Sequence, residues 1–207
     1  MPLEKSTLRR DLRARLRAMS PDDRTAASAR ICAHLSPWTA APAGRLVAGF
    51  LPLPSEPDPG GFYRSLEAGG GRLAFPLITG PDRLEFRLLP PGGLDDGHPA
   101  AAGLRPGPHG LREPDPSRCP LAAPGDIGLV LVPGLGFARG GARLGRGAGY
   151  YDRWLASLPP GIPSIGVAFA LQIVHDLPCQ PHDWRVDHIV TDAGWIPGAR
   201  GLPRPPA

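Results

Sequence analysis

The chain has 207 residues, of which 42% are hydrophobic and 20% charged, with a formal net charge of +4; this fits one domain with a buried core and excludes a low-complexity or collagen-like polymer. Three cysteines without C-x-x-C spacing exclude a disulfide framework and a cysteine zinc site; no apolar run reaches the ~18 residues of a membrane span, and the charged N-terminus lacks a secretion signal. The basic excess is small and its Lys and Arg are spread along the chain, so the expected partner is a small polyanion such as a nucleotide, with no nucleic acid and no membrane, in a cytoplasmic setting.

The 28 Gly and 29 Pro cluster between apolar runs and punctuate loops. From Glu4 to Met19 the pattern is helical: Leu8, Leu12, Leu16 and Met19 form one stripe, with Lys5, Arg9, Arg13 and Arg17 as a basic row beside it. Ser20-Pro21-Asp22-Asp23 starts a second helix, expected to end near Leu35: Ser caps, Pro takes the first turn, and the acids face the helix dipole. Arg45–Leu51 reads as a buried strand and Gly61–Ala68 as a short helix. Arg72–Ile78 and Leu84–Leu89 read as strands, with Pro76 placing the first toward a sheet edge. Pro90–Pro124 has little periodicity and reads as a long irregular connection.

Ile127–Val132 is the clearest buried strand. A Gly-rich stretch from Gly134 to Gly149 follows it, then a helix from Tyr150 to Ser157. Ile162–Phe169 and Val186–Thr191 read as strands, with a helical turn over Leu171–Asp176 between them. The alternation predicts an α/β fold with a mostly parallel sheet over residues 1–197, followed by a disordered tail over 198–207. Such sheets bind ligands at the carboxyl ends of their strands, where the Gly-rich stretch begins.

That stretch carries the chemistry. Gly145, Gly147 and Gly149 alternate just before a helix start, and Arg143 and Arg146 add positive charge. Glycines let a backbone approach a ligand, helix starts offer free N–H groups, and arginines grip phosphate oxygens. The spacing is neither a Walker A loop nor a dinucleotide-binding fingerprint, so a phosphate cradle and a flexible basic loop both remain open. Lys5 and Arg9, one helical turn apart, can reach one polyanion or simply form a solvated face.

The segment RLGRGAGYYD, Arg143 to Asp152, closely resembles the nucleotide-binding signature of the 5-formyltetrahydrofolate cyclo-ligases, also called methenyltetrahydrofolate synthetases. Lys5-Ser6-Thr7-Leu8-Arg9 is similar to that family's N-terminal Lys-x-x-x-Arg helix. Leu51–Glu56 resembles its first strand and loop, VPGLGF (Val132–Phe137) the strand before the signature, and Trp184–Asp187 with His188–Thr191 its C-terminal strand. The resemblance implies a three-layer α/β/α sandwich. It implies an enzyme that uses ATP and Mg2+ to convert 5-formyltetrahydrofolate to 5,10-methenyltetrahydrofolate, ADP and phosphate. The formyl oxygen is activated by phosphoryl transfer, and N10 then closes the ring.

Carried over by position, the resemblance assigns Lys5, Arg9 and Arg143, with Leu144, Gly145, Arg146, Gly147, Ala148, Gly149, Tyr150 and Tyr151, to ATP, and Lys5 and Arg143 to catalysis. It assigns Leu51, Glu56 and the segment Arg146 to Tyr150 to the reduced folate, and Asp152 and Asp187 to magnesium, a metal that often takes one or two carboxylates plus phosphate and water. His182-Asp183 resembles a pair expected near the site, without an assigned role. A monomer acting on small-molecule substrates is the expected form. Two positions depart from the family pattern: Ala138 stands where Asp is usual, and Ala148 where Lys or Gly is usual. Ala138 motivates a competing reading, a non-catalytic nucleotide- or folate-binding member of the same fold.

Overall fold

The computed structural model describes residues 4–39, 46–94, 103–107, 112–180 and 183–199. The expected strand start at Arg45, parts of the expected connection over 90–124, His182 and the tail from 200 onward lie outside these. The leucine stripe folds as helix α1 (Lys5–Ala18), burying Leu8, Leu12 and Leu16. Helix α2 (Pro21–Leu35) starts at the expected cap, where the Ser20 hydroxyl accepts from the Asp23 N–H at 3.1 Å. The chain continues through β1 (Leu46–Ala48), α3 (Gly60–Ala68), β2 (Arg72–Gly80) and β3 (Arg83–Leu88). Then come a small hairpin, β4 (Leu104–Pro106) with β5 (Arg112–Pro114), and the long buried strand β6 (Ile127–Pro133). After β6 come β7 (Gly136–Ala138), β8 (Arg143–Leu144), α4 (Tyr150–Ala156), β9 (Ser164–Val167), β10 (Ile173–Val174), β11 (His188–Thr191) and β12 (Gly194–Pro197).

Seven strands form one sheet in the order β12-β11-β9-β6-β1-β2-β3. The five inner strands run parallel, and β12 and β3 close the two edges antiparallel. Alternate residues of the inner strands feed two cores. Val47, Leu73, Phe75, Leu129, Leu131, Ile165 and Val190 pack against Ile31, Leu35, Phe62 and Leu66 of α2 and α3. Leu46, Ala48, Ala74, Val130, Val132 and Ile189 pack against Leu155 of α4 and Phe137 of β7. Helices thus cover one face, and α4 with a three-stranded sheet, β10-β7-β8, covers the other. This is the layered α/β fold expected from the alternation of strands and helices.

Several local expectations change. Pro76 does not put β2 at an edge, because β3 pairs with it from Ala74 to Gly80. Strand β1 reaches only as far as Ala74 on the other side, so the missing Pro76 N–H breaks no ladder there. The stretch from Pro90 to Pro124 is not wholly irregular, since it holds the β4–β5 hairpin. The turn expected over Leu171–Asp176 is a 3-10 turn at Ala170–Gln172 running into β10. Strand β12 had no counterpart in the sequence reading.

The β7–β8 turn depends on two glycines. Gly140 and Gly141 have φ of 80° and 83°, and a Cβ on Gly141 would run into the Val186 carbonyl oxygen, with Ala199 N 2.9 Å away. Left-handed backbone together with a backbone clash leaves no room for a side chain. Gly141→Ala is therefore expected to destabilise the fold by at least about 2 kcal/mol, lowering the thermal midpoint by roughly 4–8 °C in a melting experiment. An unchanged midpoint would show that the turn can relax.

Candidate active site

A cleft of about 1130 Å³ opens where β1, β2 and β6 end, at Phe50, Leu51, Pro76, Ile78, Pro133 and Gly134. Its volume exceeds the ~300–1,000 Å³ usual for a single drug-sized ligand, so it has room for more than one small molecule. The β8–α4 loop forms one wall, α1 presents Lys5 and Arg9 from another, and Glu56 and the segment around Asp183 and Trp184 complete it.

Arg143 anchors the loop. Its side chain is only 4% exposed, and its guanidinium donates to Asp152 Oδ1 at 2.8 Å and to the Pro133 carbonyl at 3.3 Å. Asp152 Oδ1 also accepts from the Trp184 N–H at 3.2 Å. Two glycines give room here: a Cβ on Gly145 would sit 3.0 Å from Arg143 NH1, and one on Gly134 would meet the Phe137 ring at 2.7 Å and then Arg143 Cγ at 3.2 Å. Gly149, at φ 69°, then turns the chain into α4.

Helix α1 fastens the loop from the other side. Arg9 donates to the Gly145 carbonyl at 3.0 Å and Arg13 to the Arg146 carbonyl at 3.5 Å. The basic row of α1 is therefore not a merely solvated face. Lys5, one turn earlier, pairs with Asp183 at 2.6 Å across 178 residues of sequence.

On the far side, Arg146 donates twice to Glu56 Oε1, at 3.0 and 2.6 Å, while Glu56 Oε2 accepts from the Leu53 N–H at 3.0 Å. The Glu56 side chain is 7% exposed. Tyr150 donates to the Gly80 carbonyl at 3.4 Å and lies under the Arg153 guanidinium, so the β2–β3 turn touches the start of α4. Tyr151 packs edge-on against Phe86, and burial, followed by the nearby Glu56 charge, pushes its pKa up while Arg143 opposes the shift. Tyr151 stays a neutral phenol.

Lys5, Arg9, Leu51, Glu56, the loop from Arg143 to Tyr151, and Asp152 thus all line one cleft. Asp187 does not. Its Oδ2 accepts from the Ser164 N–H and hydroxyl, both at 2.8 Å, in a buried position. The register sets Ser164 opposite Val130, three residues short of Pro133 at the cleft, about 10 Å along the strand. The Asp187 Oδ2 is thus held by Ser164 below the cleft. Asp183, four residues earlier, lines the cleft. Its sequence signal was the His-Asp pair, which carried no role.

Among the described residues no three His, Cys, Asp or Glu side chains converge as a metal cage. Asp152, whose Oδ2 takes no hydrogen bond from the described residues, and Asp183, whose Oδ2 accepts from Lys5 and from the Gln180 N–H, both line the cleft. Ala138 is buried in β7, its N–H donating to the Ala142 carbonyl at 2.9 Å, and it does not line the cleft.

The model of the 5-formyltetrahydrofolate cyclo-ligase family matches residues 2–192. A 5-formyltetrahydrofolate cyclo-ligase of Mycolicibacterium smegmatis is 34% identical over 153 residues, covering 72% of this chain and 74% of that one. One of Saccharomyces cerevisiae is 29% identical over 212 residues, covering 93% and 97%. Two solved structures of 5,10-methenyltetrahydrofolate synthetases share the fold. The Mycoplasma pneumoniae structure superposes with a TM-score of 0.72 at 22% identity, covering 92% of this chain and 99% of that one. The Aquifex aeolicus structure gives 0.76 at 24%, covering 99% and 97%.

If Asp187 is a structural acceptor, Asp187→Ala should cost about 1–3 kcal/mol by leaving buried Ser164 donors unpaired, measured by urea unfolding. A variant as stable as the parent, with altered response to magnesium, would support the metal role instead.

Proposed function

This chain belongs to the 5-formyltetrahydrofolate cyclo-ligase family, and we propose on that premise that it closes 5-formyltetrahydrofolate to 5,10-methenyltetrahydrofolate with ATP and magnesium, releasing ADP and phosphate. The observation that supports this most is the convergence of the Arg143–Asp152 segment, Lys5 and Arg9 of α1, and Glu56 on one cleft at the carboxyl ends of the strands.

In this reading the triphosphate lies along the Gly-rich loop, between its backbone N–H groups and the side chains of Lys5, Arg9 and Arg143. Fixed positive groups at the phosphoryl group in transit stabilise its charge without reorganisation. The pterin end of the folate occupies the side of Leu51 and Glu56, where the carboxylate accepts from ring N–H and amino groups. Arg146, paired with Glu56, links the two sides. Asp152 and Asp183 would hold magnesium together with phosphate oxygens. Bound there, the ion supplies charge neutralisation at the phosphates.

The formyl oxygen attacks the γ-phosphorus while the bond to ADP breaks. N10 then attacks the activated carbon, loses its proton, and phosphate departs as the ring closes. Holding both substrates in one cleft supplies the alignment that this sequence needs. The competing non-catalytic reading rested on Ala138, and that position lies away from the cleft.

Purified protein mixed with 5-formyltetrahydrofolate, ATP and magnesium should produce the absorbance of methenyltetrahydrofolate only when both ATP and magnesium are present. Folded protein that binds ATP without turnover would contradict the proposal. Asp183→Asn should raise the magnesium concentration needed for half-maximal rate by about tenfold, a loss of one charged ligand. An unaltered magnesium titration would remove Asp183 from the metal site.

A further inference from the structure

The β2–β3 hairpin walls the cleft with apolar side chains. Pro76, Ile78 and Leu84 all line it, and the register sets Ile78 opposite Leu84. Among the described residues only Ile78 and Leu121 are large hydrophobic side chains left exposed, and Ile78, 54% exposed, is the one in the cleft. An open apolar group inside a cleft suits a ligand with an apolar portion. The Gly-rich loop walls the same cleft with backbone and basic groups. Two reactants held on different walls meet only if those walls keep a fixed relation.

Arg153 joins the two walls. Its Nη2 donates to the Ala148 carbonyl of the loop at 2.9 Å, and its Nε donates to the Asp82 carbonyl of the β2–β3 turn at 3.3 Å. The Asp82 carboxylate lies 3.3 Å from Nη2. The guanidinium carbon stands 5.5 Å from the Tyr150 ring centroid, and the Tyr150 hydroxyl donates to the Gly80 carbonyl of that turn at 3.4 Å. A guanidinium carries five donors in a rigid planar fork, so one side chain can serve both walls at once.

We propose that Arg153 is a positioning residue that clasps the β2–β3 hairpin to the Gly-rich loop and so sets the apolar wall of the cleft against the basic one. The inference rests on the cyclo-ligase reading above, in which ATP lies along the loop and the folate takes the remaining side of the cleft. Arg153 acts through Ala148, Tyr150 and the hairpin, not on the reacting atoms. The clasp is open to water: the Arg153 side chain is 45% exposed and that of Asp82 81%. Contacts this exposed add little to folding, so the fork matters for geometry.

Arg153→Ala should lower kcat/KM for 5-formyltetrahydrofolate by about 10- to 100-fold, as a misplacement of about 1 Å does. Its thermal midpoint should stay within about 4 °C of the parent's. Arg153→Lys keeps the charge without the fork and should be impaired to within about threefold of Arg153→Ala. Asp82→Ala should lower kcat/KM in the same direction. Added to Arg153→Ala it should cost no more than about twofold further, because Asp82 acts through Arg153. Unchanged kcat/KM in Arg153→Ala overturns the proposal. So does full rescue by lysine, which would mean that the charge acts on a ligand directly, and so do losses from the two alanine variants that multiply. A midpoint lowered beyond the stated range would make Arg153 a folding residue and overturns it as well. If the parent itself shows no turnover, the cyclo-ligase reading fails instead. Calorimetric affinities for 5-formyltetrahydrofolate and ATP then decide the clasp on their own: weakened in Arg153→Ala they support it, and unchanged they overturn it.

Discussion

The buried guanidinium of Arg143 is the interaction on which the cleft depends. It joins the end of β6 to the start of α4 through the Pro133 carbonyl and Asp152. The intervening segment packs closely on it: a Cβ on Gly145 would come within 3.0 Å of its NH1. Taking a charge out of water is costly unless it is paired, so this group fixes a single loop geometry. Removing either partner would leave the other uncompensated.

From that anchor the remaining contacts follow outward. Arg9 holds the Gly145 carbonyl, Arg146 reaches across to Glu56, and the Trp184 N–H meets Asp152. Segments separated by more than a hundred residues are thereby tied to one loop. The hydrophobic layers beneath it, α2 and α3 on one face and α4 with the small sheet on the other, keep the strand ends level so that these contacts can form.

Much of this was legible in the sequence. The leucine stripe and the Ser20 cap gave α1 and α2 almost to the residue, and the apolar run at Ile127 gave the central strand. The Gly and Arg pattern marked the loop that lines the cleft. Strands of two to four residues were harder, because β4, β5, β7, β8, β10 and β12 are too short to show a period of two, and several contain Gly or Pro. Pro76 misled by its identity alone: whether it breaks a ladder depends on how far the neighbouring strand extends. The place of Asp187 was beyond reach for a similar reason: only the register of β11 on β9 shows that it ends beside Ser164.

The most direct test of a single two-substrate cleft is a crystal structure with a non-hydrolysable ATP analogue, magnesium and 5-formyltetrahydrofolate. The phosphates should lie between Lys5, Arg143 and the Gly145–Gly149 backbone, with the folate ring system beside Glu56, the metal at Asp152 and Asp183, and Asp187 still bound to Ser164. Phosphates bound outside this cleft, or a metal held by Asp187, would contradict it.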